Sequence, residues 1–209
     1  MPPEITARSV GILIFPDVEI LDFCGPFEVF ASASLPGDAE GDPETRLFHV
    51  NTIAQRPDIV TCRGGLRVQP NYTLNDHPLL DIIVIPGGYG TRTEQKNPVI
   101  LDWISRQRAG GALTTSVCTG AFLLGAAGLL DGLRATTHWG TIDGLRAENP
   151  RAEILSDARV VDEGDIITSA GVSAGIDMAL HVVRRFHGDA VARATALDME
   201  YEGAAPVAG

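Results

Sequence analysis

The chain has 209 residues, with 16 Lys and Arg against 27 Asp and Glu, for a formal charge of −11. Apolar residues make up 44% and charged residues 21%, an ordinary globular mixture that excludes a disordered tail or a fibre. A pI near 4.8 without a Lys/Arg-rich stretch argues against a nucleic-acid partner, because phosphate-backbone binding rests on clustered cations.

Residues 9–15 form a nearly continuous apolar run, as in a strand covered on both faces. The turn after it holds three acids: Asp17, Glu19 and Asp22. Asp17 and Glu19 read as solvated loop charges. Asp22 stands among Ile20, Leu21 and Phe23, where a carboxyl tends to have a raised pKa and can exchange protons near neutrality. Its alternative role is to cap a helix. That helix is expected over 26–34, with Pro26 in its first turn.

Residues 35–43 carry two Pro, two Gly and three acids and read as a loop. A strand follows at 47–53, then a small hairpin insertion at 57–71 around Gly64-Gly65. The buried strand 81–85 runs into Pro86-Gly87-Gly88-Tyr89-Gly90. Adjacent glycines there suit a backbone brought close to a ligand, and their N–H groups an anion-binding nest. The alternatives are a tight turn and a phosphate loop, although neither G-x-G-x-x-G nor G-x-x-x-x-G-K-[ST] is met.

After a helix at 98–108, the strand 112–116 leads to Cys118, and a helix over 121–130 starts at once, with Gly120 at its entrance. This has the layout of a nucleophile elbow with a thiol in place of a serine. The helix N-terminus would favour the thiolate, lower its pKa and bind a developing negative charge. The alternative is a small buried residue packing strand against helix. Ala135-Thr-Thr-His138-Trp139 ends a short strand and points His138 at the same end of the sheet, or into the core. Residues 159–162 and 165–169 read as a hairpin across Glu163-Gly164. Helices at 173–186 and 189–201 complete the chain, and the ends at 1–8 and 203–209 are expected to fray.

Strands alternating with helices predict βαβ units and a mainly parallel sheet, here as one α/β domain over 1–209 without a linker. Its ligand site should lie outside the carboxyl ends of the strands. Cys24, Cys62 and Cys118 form no C-x-x-C pair, so each is read singly, Cys24 as a residue that edges the cleft or packs in the core. No histidine pair has metal-ligand spacing, so no metal is expected. No apolar run approaches the roughly 18 residues that span a bilayer. Met1-Pro2-Pro3-Glu4 does not begin a signal peptide, so a cytoplasmic chain without membrane contact is expected.

Four segments carry a resemblance. Ile85-Pro-Gly-Gly88, Ser116-Val-Cys-Thr-Gly120, Arg134-Ala-Thr-Thr-His-Trp139 and Ala170-Gly-Val-Ser-Ala-Gly-Ile-Asp177 resemble the ThiJ/PfpI superfamily. The resemblance implies a flavodoxin-like α/β sandwich, commonly a homodimer. Within it, Leu21-Asp22-Phe-Cys-Gly25-Pro26 together with Ser116-Val-Cys-Thr-Gly120 is similar to the isonitrile hydratases. That likeness implies that Cys118 attacks the isocyanide carbon of a small-molecule substrate, that Asp22 handles the proton, and that no cofactor is needed. Gly87, Gly88 and Thr119 would then lie against the charged group, with the N–H groups of Gly88 and Thr119 holding it. Val172 and Trp139 would form apolar walls, with His138 beside them.

Two departures narrow the resemblance. The superfamily's proteases carry a histidine immediately after the cysteine, where this chain has Thr119. The redox-chaperone and glyoxalase-type branch carries a glutamate near the first helix, where the acid here is the shorter Asp22. Glyoxalase or deglycase chemistry is thus an alternative. Another is a ligand- or redox-sensing module, as the amino-terminal domain of AraC-type regulators implies; no basic helical pair is expected here to bind DNA.

Overall fold

The computed structural model describes residues 7–36, 46–203 and 207–208. Most of the expected loop at 35–43 and residues 1–6 lie outside them. In chain order the elements are β1 (Arg8–Leu13), α1 (Ile20–Ser32), β2 (Phe48–Ala54), β3 (Val60–Thr61), β4 (Arg67–Val68), β5 (Tyr72–Thr73) and β6 (Ile82–Ile85). Then come α2 (Thr91–Glu94), α3 (Pro98–Ala109), β7 (Leu113–Val117), α4 (Ala121–Ala126), β8 (Arg134–Ala135), α5 (Ile142–Glu148) and β9 (Glu153–Ile154). The last are β10 (Val160–Asp162), β11 (Ile166–Ser169), α6 (Ala174–His187), α7 (Asp189–Asp198) and β12 (Val207–Ala208).

The most apolar runs form the middle of one eight-stranded sheet, in the order β12-β10-β11-β7-β6-β1-β2-β5. Every pairing in it is parallel except β10 with β11, the expected hairpin. Helices α1, α6 and α7 pack together on one face, and α2 to α5 cover the other. This is the flavodoxin-like arrangement, and it explains why β6 is buried along its whole length. β7 is buried too despite two threonines and a serine: main-chain carbonyls accept from both threonine side chains, Ala112 from Thr114 at 3.3 Å and Ile83 from Thr115 at 2.9 Å, while the Ser116 hydroxyl has no partner among the described residues. Among the described residues no helix is long and apolar enough to cross a membrane.

Several expected boundaries move. Helix α1 starts at Ile20 instead of residue 26, with Pro26 inside it. A proline at that depth donates nothing to the carbonyl of Asp22, four residues back. Helix α4 stops at Ala126 instead of reaching 130: Gly128 takes a positive φ of 73°, and the Leu129 N–H returns to the Leu124 carbonyl at 3.0 Å. The expected frayed ends are also partly ordered. Arg8 opens β1 and ion-pairs with Asp81 at 2.9 Å, and β12 lies parallel to β10 along the sheet edge. The hairpin insertion is present as β3 and β4, paired antiparallel.

Strand order places the site. After β1 the chain moves outward to β2, then crosses to the other side of β1 to lay down β6 and β7. A crevice opens outside the carboxyl ends of strands where the order reverses in this way. The chain just after β1, β6 and β7 holds Asp22 in the first turn of α1, Gly87-Gly88 and Cys118.

Candidate active site

Hydrogen bonds knit those three segments together. The Glu19 N–H donates to the Gly87 carbonyl at 2.9 Å, and Val18 bridges to Gly88. The Gly87 N–H donates to Asp22 Oδ2 at 2.9 Å, and the Gly88 N–H to Thr119 Oγ1 at 3.0 Å. Two further segments hold the elbow from the other side. The Cys118 N–H donates to the Ala170 carbonyl at 3.1 Å, and Thr137 Oγ1 to the Cys118 carbonyl at 2.7 Å. The glycine at 87 follows from this crowding: a Cβ there would lie 2.6 Å from the Thr119 nitrogen and 2.8 Å from Asp22 Oδ2. Gly120 is equally confined, since its Cβ would fall 2.0 Å from the Ile85 carbonyl oxygen.

Cys118 has φ of 56°, a left-handed backbone that costs a side-chain-bearing residue energy and marks a sharp strand-to-helix turn. Its residue is only 6% exposed, and Asp22 is fully buried. The two side chains interact directly, and their surroundings set both protonation equilibria. Burial raises the Asp22 pKa to about 7, with the Glu19 charge adding to the effect; the Gly87 N–H and the Cys118 thiol oppose it. Asp22 Oδ1 has no hydrogen-bond partner. Burial also pushes the Cys118 thiol up to about 12, and the charge of Asp22 acts in the same direction. The N–H groups of Thr119 and Val172 pull it down without prevailing.

The helix N-terminus was expected to lower the thiol pKa, and the net shift runs the other way. The helix N-terminus does act on the sulfur, but desolvation beside a carboxylate outweighs it. At neutral pH the pair holds a protonated thiol beside a carboxyl poised near its midpoint.

Above the sulfur opens a cavity of about 350 Å³. Gly88, Thr119, His138, Trp139 and Val172 all line it, as the sequence suggested. Their parts differ from those expected. The Gly88 N–H is engaged by Thr119 Oγ1 and does not face the cavity as a free donor. Val172, with φ of 50°, presents its backbone N–H to the sulfur as well as forming wall. His138 both lines the cavity and caps a short turn, its Nδ1 accepting from the Gly140 N–H at 3.1 Å. Trp139 stands at the rim, 81% exposed. Gly87 and Asp22 are buried and do not line the cavity, and Asp22 lies against the Cys118 thiol. Cys24 and Cys62 line none of it.

Sequence reasoning missed the mouth. Glu19 is no solvated charge: it pairs with Arg63 at 2.5 Å, carried over by the hairpin insertion. The Arg63 guanidinium sits 4.5 Å from the centre of the Tyr89 ring, and Arg92 lies 5.3 Å from the same ring. The Gly64-Gly65 turn marked the hairpin, but no local pattern sets the direction in which Arg63 reaches.

Comparison with known proteins agrees with the fold. The family described as DJ-1/PfpI matches residues 8–185. The chain belongs to that family. An isonitrile hydratase of Pseudomonas putida is 40% identical over 200 residues, covering 96% of this chain and 81% of the relative. A ThiJ/PfpI family protein from Pseudomonas syringae superposes with a TM-score of 0.83 at 31% identity, covering 98% of this chain and 79% of that one. DJ-1/PfpI domains also occur in regulators. The HTH-type transcriptional regulator GbdR of Pseudomonas aeruginosa is 25% identical over 96% of this chain, a match that spans 53% of the regulator.

Proposed function

We propose that this DJ-1/PfpI protein is a cofactor-independent isonitrile hydratase. The carrying observation is the buried Asp22–Cys118 pair, a carboxyl near its midpoint at neutral pH beside a protonated thiol. Such a pair can release a strong nucleophile only when a proton has somewhere to go. The likeness to the Pseudomonas putida hydratase supplies the substrate class.

The reaction balances as two additions. The Cys118 sulfur bonds to the terminal carbon of R–N≡C while Asp22 takes the thiol proton and returns it to that carbon, giving the thioimidate R–N=CH–S–Cys118. Water then adds to this carbon, one of its protons passing to nitrogen. The C–S bond breaks, and the sulfur regains a proton as the formamide R–NH–CHO leaves. The Thr119 and Val172 N–H groups, directed at the sulfur, stabilise its charge while it develops. Asp22 is fully buried beside the thiol, which suits a proton kept from bulk water.

The test is formamide production from a small aromatic isocyanide by the reduced protein and by Cys118→Ala. Turnover by the parent, its loss in a variant with the same melting temperature, and a thioimidate mass adduct on the parent alone are the expected results. A folded, reduced protein that forms no formamide would sink the reading. The match with regulators favours the second reading, in which the same cavity binds a small molecule without turning it over.

A further inference from the structure

The cavity above Cys118 does not end at the thiol. A second cavity of about 250 Å³ shares with it the wall formed by Arg92, Thr119, Gly140 and Thr141. Arg92 stands on the wall that the two cavities share. A substrate anchored by its reacting carbon at Cys118 would lay its remaining substituent along this wall.

Charge is distributed unevenly here. The chain as a whole carries −11, yet the cavity over Cys118 is lined by Arg63 and Arg92 against a single carboxylate, Glu19. Glu19 is already committed to Arg63. Arg92 makes no ion pair and no side-chain hydrogen bond among the described residues, and both guanidiniums approach the same Tyr89 ring. Of these two cations beside one ring, only Arg63 is neutralised by an ion pair among the described residues. In the second cavity the available carboxylate is Glu148, and it forms no ion pair with Arg92. An exposed guanidinium pre-oriented against a ring offers a rigid fork suited to a planar carboxylate.

We propose that Arg92 is the anion subsite of the cavity over Cys118 and that the substrate's N-substituent ends in a carboxylate, which makes isocyano carboxylic acids the substrate class. The assignment rests on the hydratase reading for the reacting end; Arg92 supplies the other end. Electrostatic capture at the mouth would also draw an anion toward a protein of net negative charge.

The probes are isocyanoacetate and 3-isocyanopropionate, each beside its methyl ester. The quantity read is the ratio of kcat/KM for acid over ester. A charge-assisted contact predicts a ratio of about 10 to 100 in the parent protein for the acid whose length fits. The ratio should collapse toward one in Arg92→Gln, be partly kept in Arg92→Lys, and fall as salt is added. Equal use of acid and ester by the parent, or an unchanged ratio in Arg92→Gln, overturns the proposal.

Binding separates this failure from that of the hydratase reading. If neither probe is turned over, the affinities of N-formylglycine and its methyl ester are compared by calorimetry. A preference for the acid that Arg92→Gln removes keeps the anion subsite while the hydratase reading falls. No preference removes the subsite as well.

Discussion

Two aspartates lie in the first turns of α1 and α6, helices packed against each other, and they are treated in opposite ways. Asp177 is 5% exposed, accepts from Arg159 Nε, and receives the Tyr201 hydroxyl at 3.1 Å. Arg159 also donates to Ser173 at 3.1 Å, so one ionic cluster ties β10, α6 and the segment after α7 together. Asp22 is buried more completely, faces no cation at contact distance, and leaves Oδ1 without a partner. A buried carboxylate with its partners in place holds structure, whereas one left short of partners holds a proton that can move. Burial is common to both, so the partners make the difference.

The largest expected effect tests the proton. Asp22→Asn keeps an acceptor for the Gly87 N–H and loses the base, so kcat for a small isocyanide should drop about 10²- to 10⁴-fold. In the parent, kcat/KM should rise with pH through about 7, as Asp22 ionises beside a thiol that stays protonated to about 12. A pH profile that keeps this limb in Asp22→Asn would assign it to another group and remove the contrast between the two aspartates.

The same variant should be more stable than its parent above neutrality. The folded-state pKa of Asp22 is raised from 3.8 to about 7, so the fold binds this proton more tightly than the unfolded chain does. That contribution is fully present below pH 3.8, is lost as pH rises through 7, and leaves the ionised form at a disadvantage above it. The shift corresponds to an upper bound on the order of 4 kcal/mol. Thermal melts of parent and Asp22→Asn should therefore coincide near pH 4 and diverge by pH 8, with the variant higher. Parallel curves across that range would mean that Asp22 is as well supported as Asp177.

Arg159→Ala should act in the other direction. It strands a buried carboxylate, but the Arg159 side chain is 36% exposed and water can replace part of what is lost. The expected cost is about 2 kcal/mol, below the 3–5 kcal/mol typical of breaking a fully buried pair. Urea unfolding measures it. A loss well under 1 kcal/mol would mean that Asp177 needs no cation.

Strands β1 and β6, which frame the site, were legible because they are almost wholly buried, and a strand covered on both faces tends to read as a continuous apolar run. The start of α1 was not. Pro26 reads as a helix opening, yet the helix begins six residues earlier, and nothing local signals that its first turn forms against Gly87. The position of Cys118 on an elbow was readable from strand, cysteine and glycine in sequence. Its protonation state was not, because desolvation depends on what the fold stacks around the sulfur. The roles of Gly88 and Val172 shifted for a similar reason: which backbone N–H groups remain free is decided by side-chain oxygens such as Thr119 Oγ1 and by a φ of 50° at Val172. Arg63 and Arg92 needed the tertiary structure outright, since they meet only at the Tyr89 ring.

The left-handed backbone at Cys118 sets stability and chemistry against each other at one position. Glycine adopts φ of 56° without the cost a β-carbon imposes, about 1–2 kcal/mol, and it has no thiol to desolvate. A lineage selected only for thermal endurance would thus drift toward glycine at 118 and lose its sulfur. Persistence of cysteine there in descendants of this protein would mean that the use of its sulfur and its packing in the core together outweigh the backbone cost.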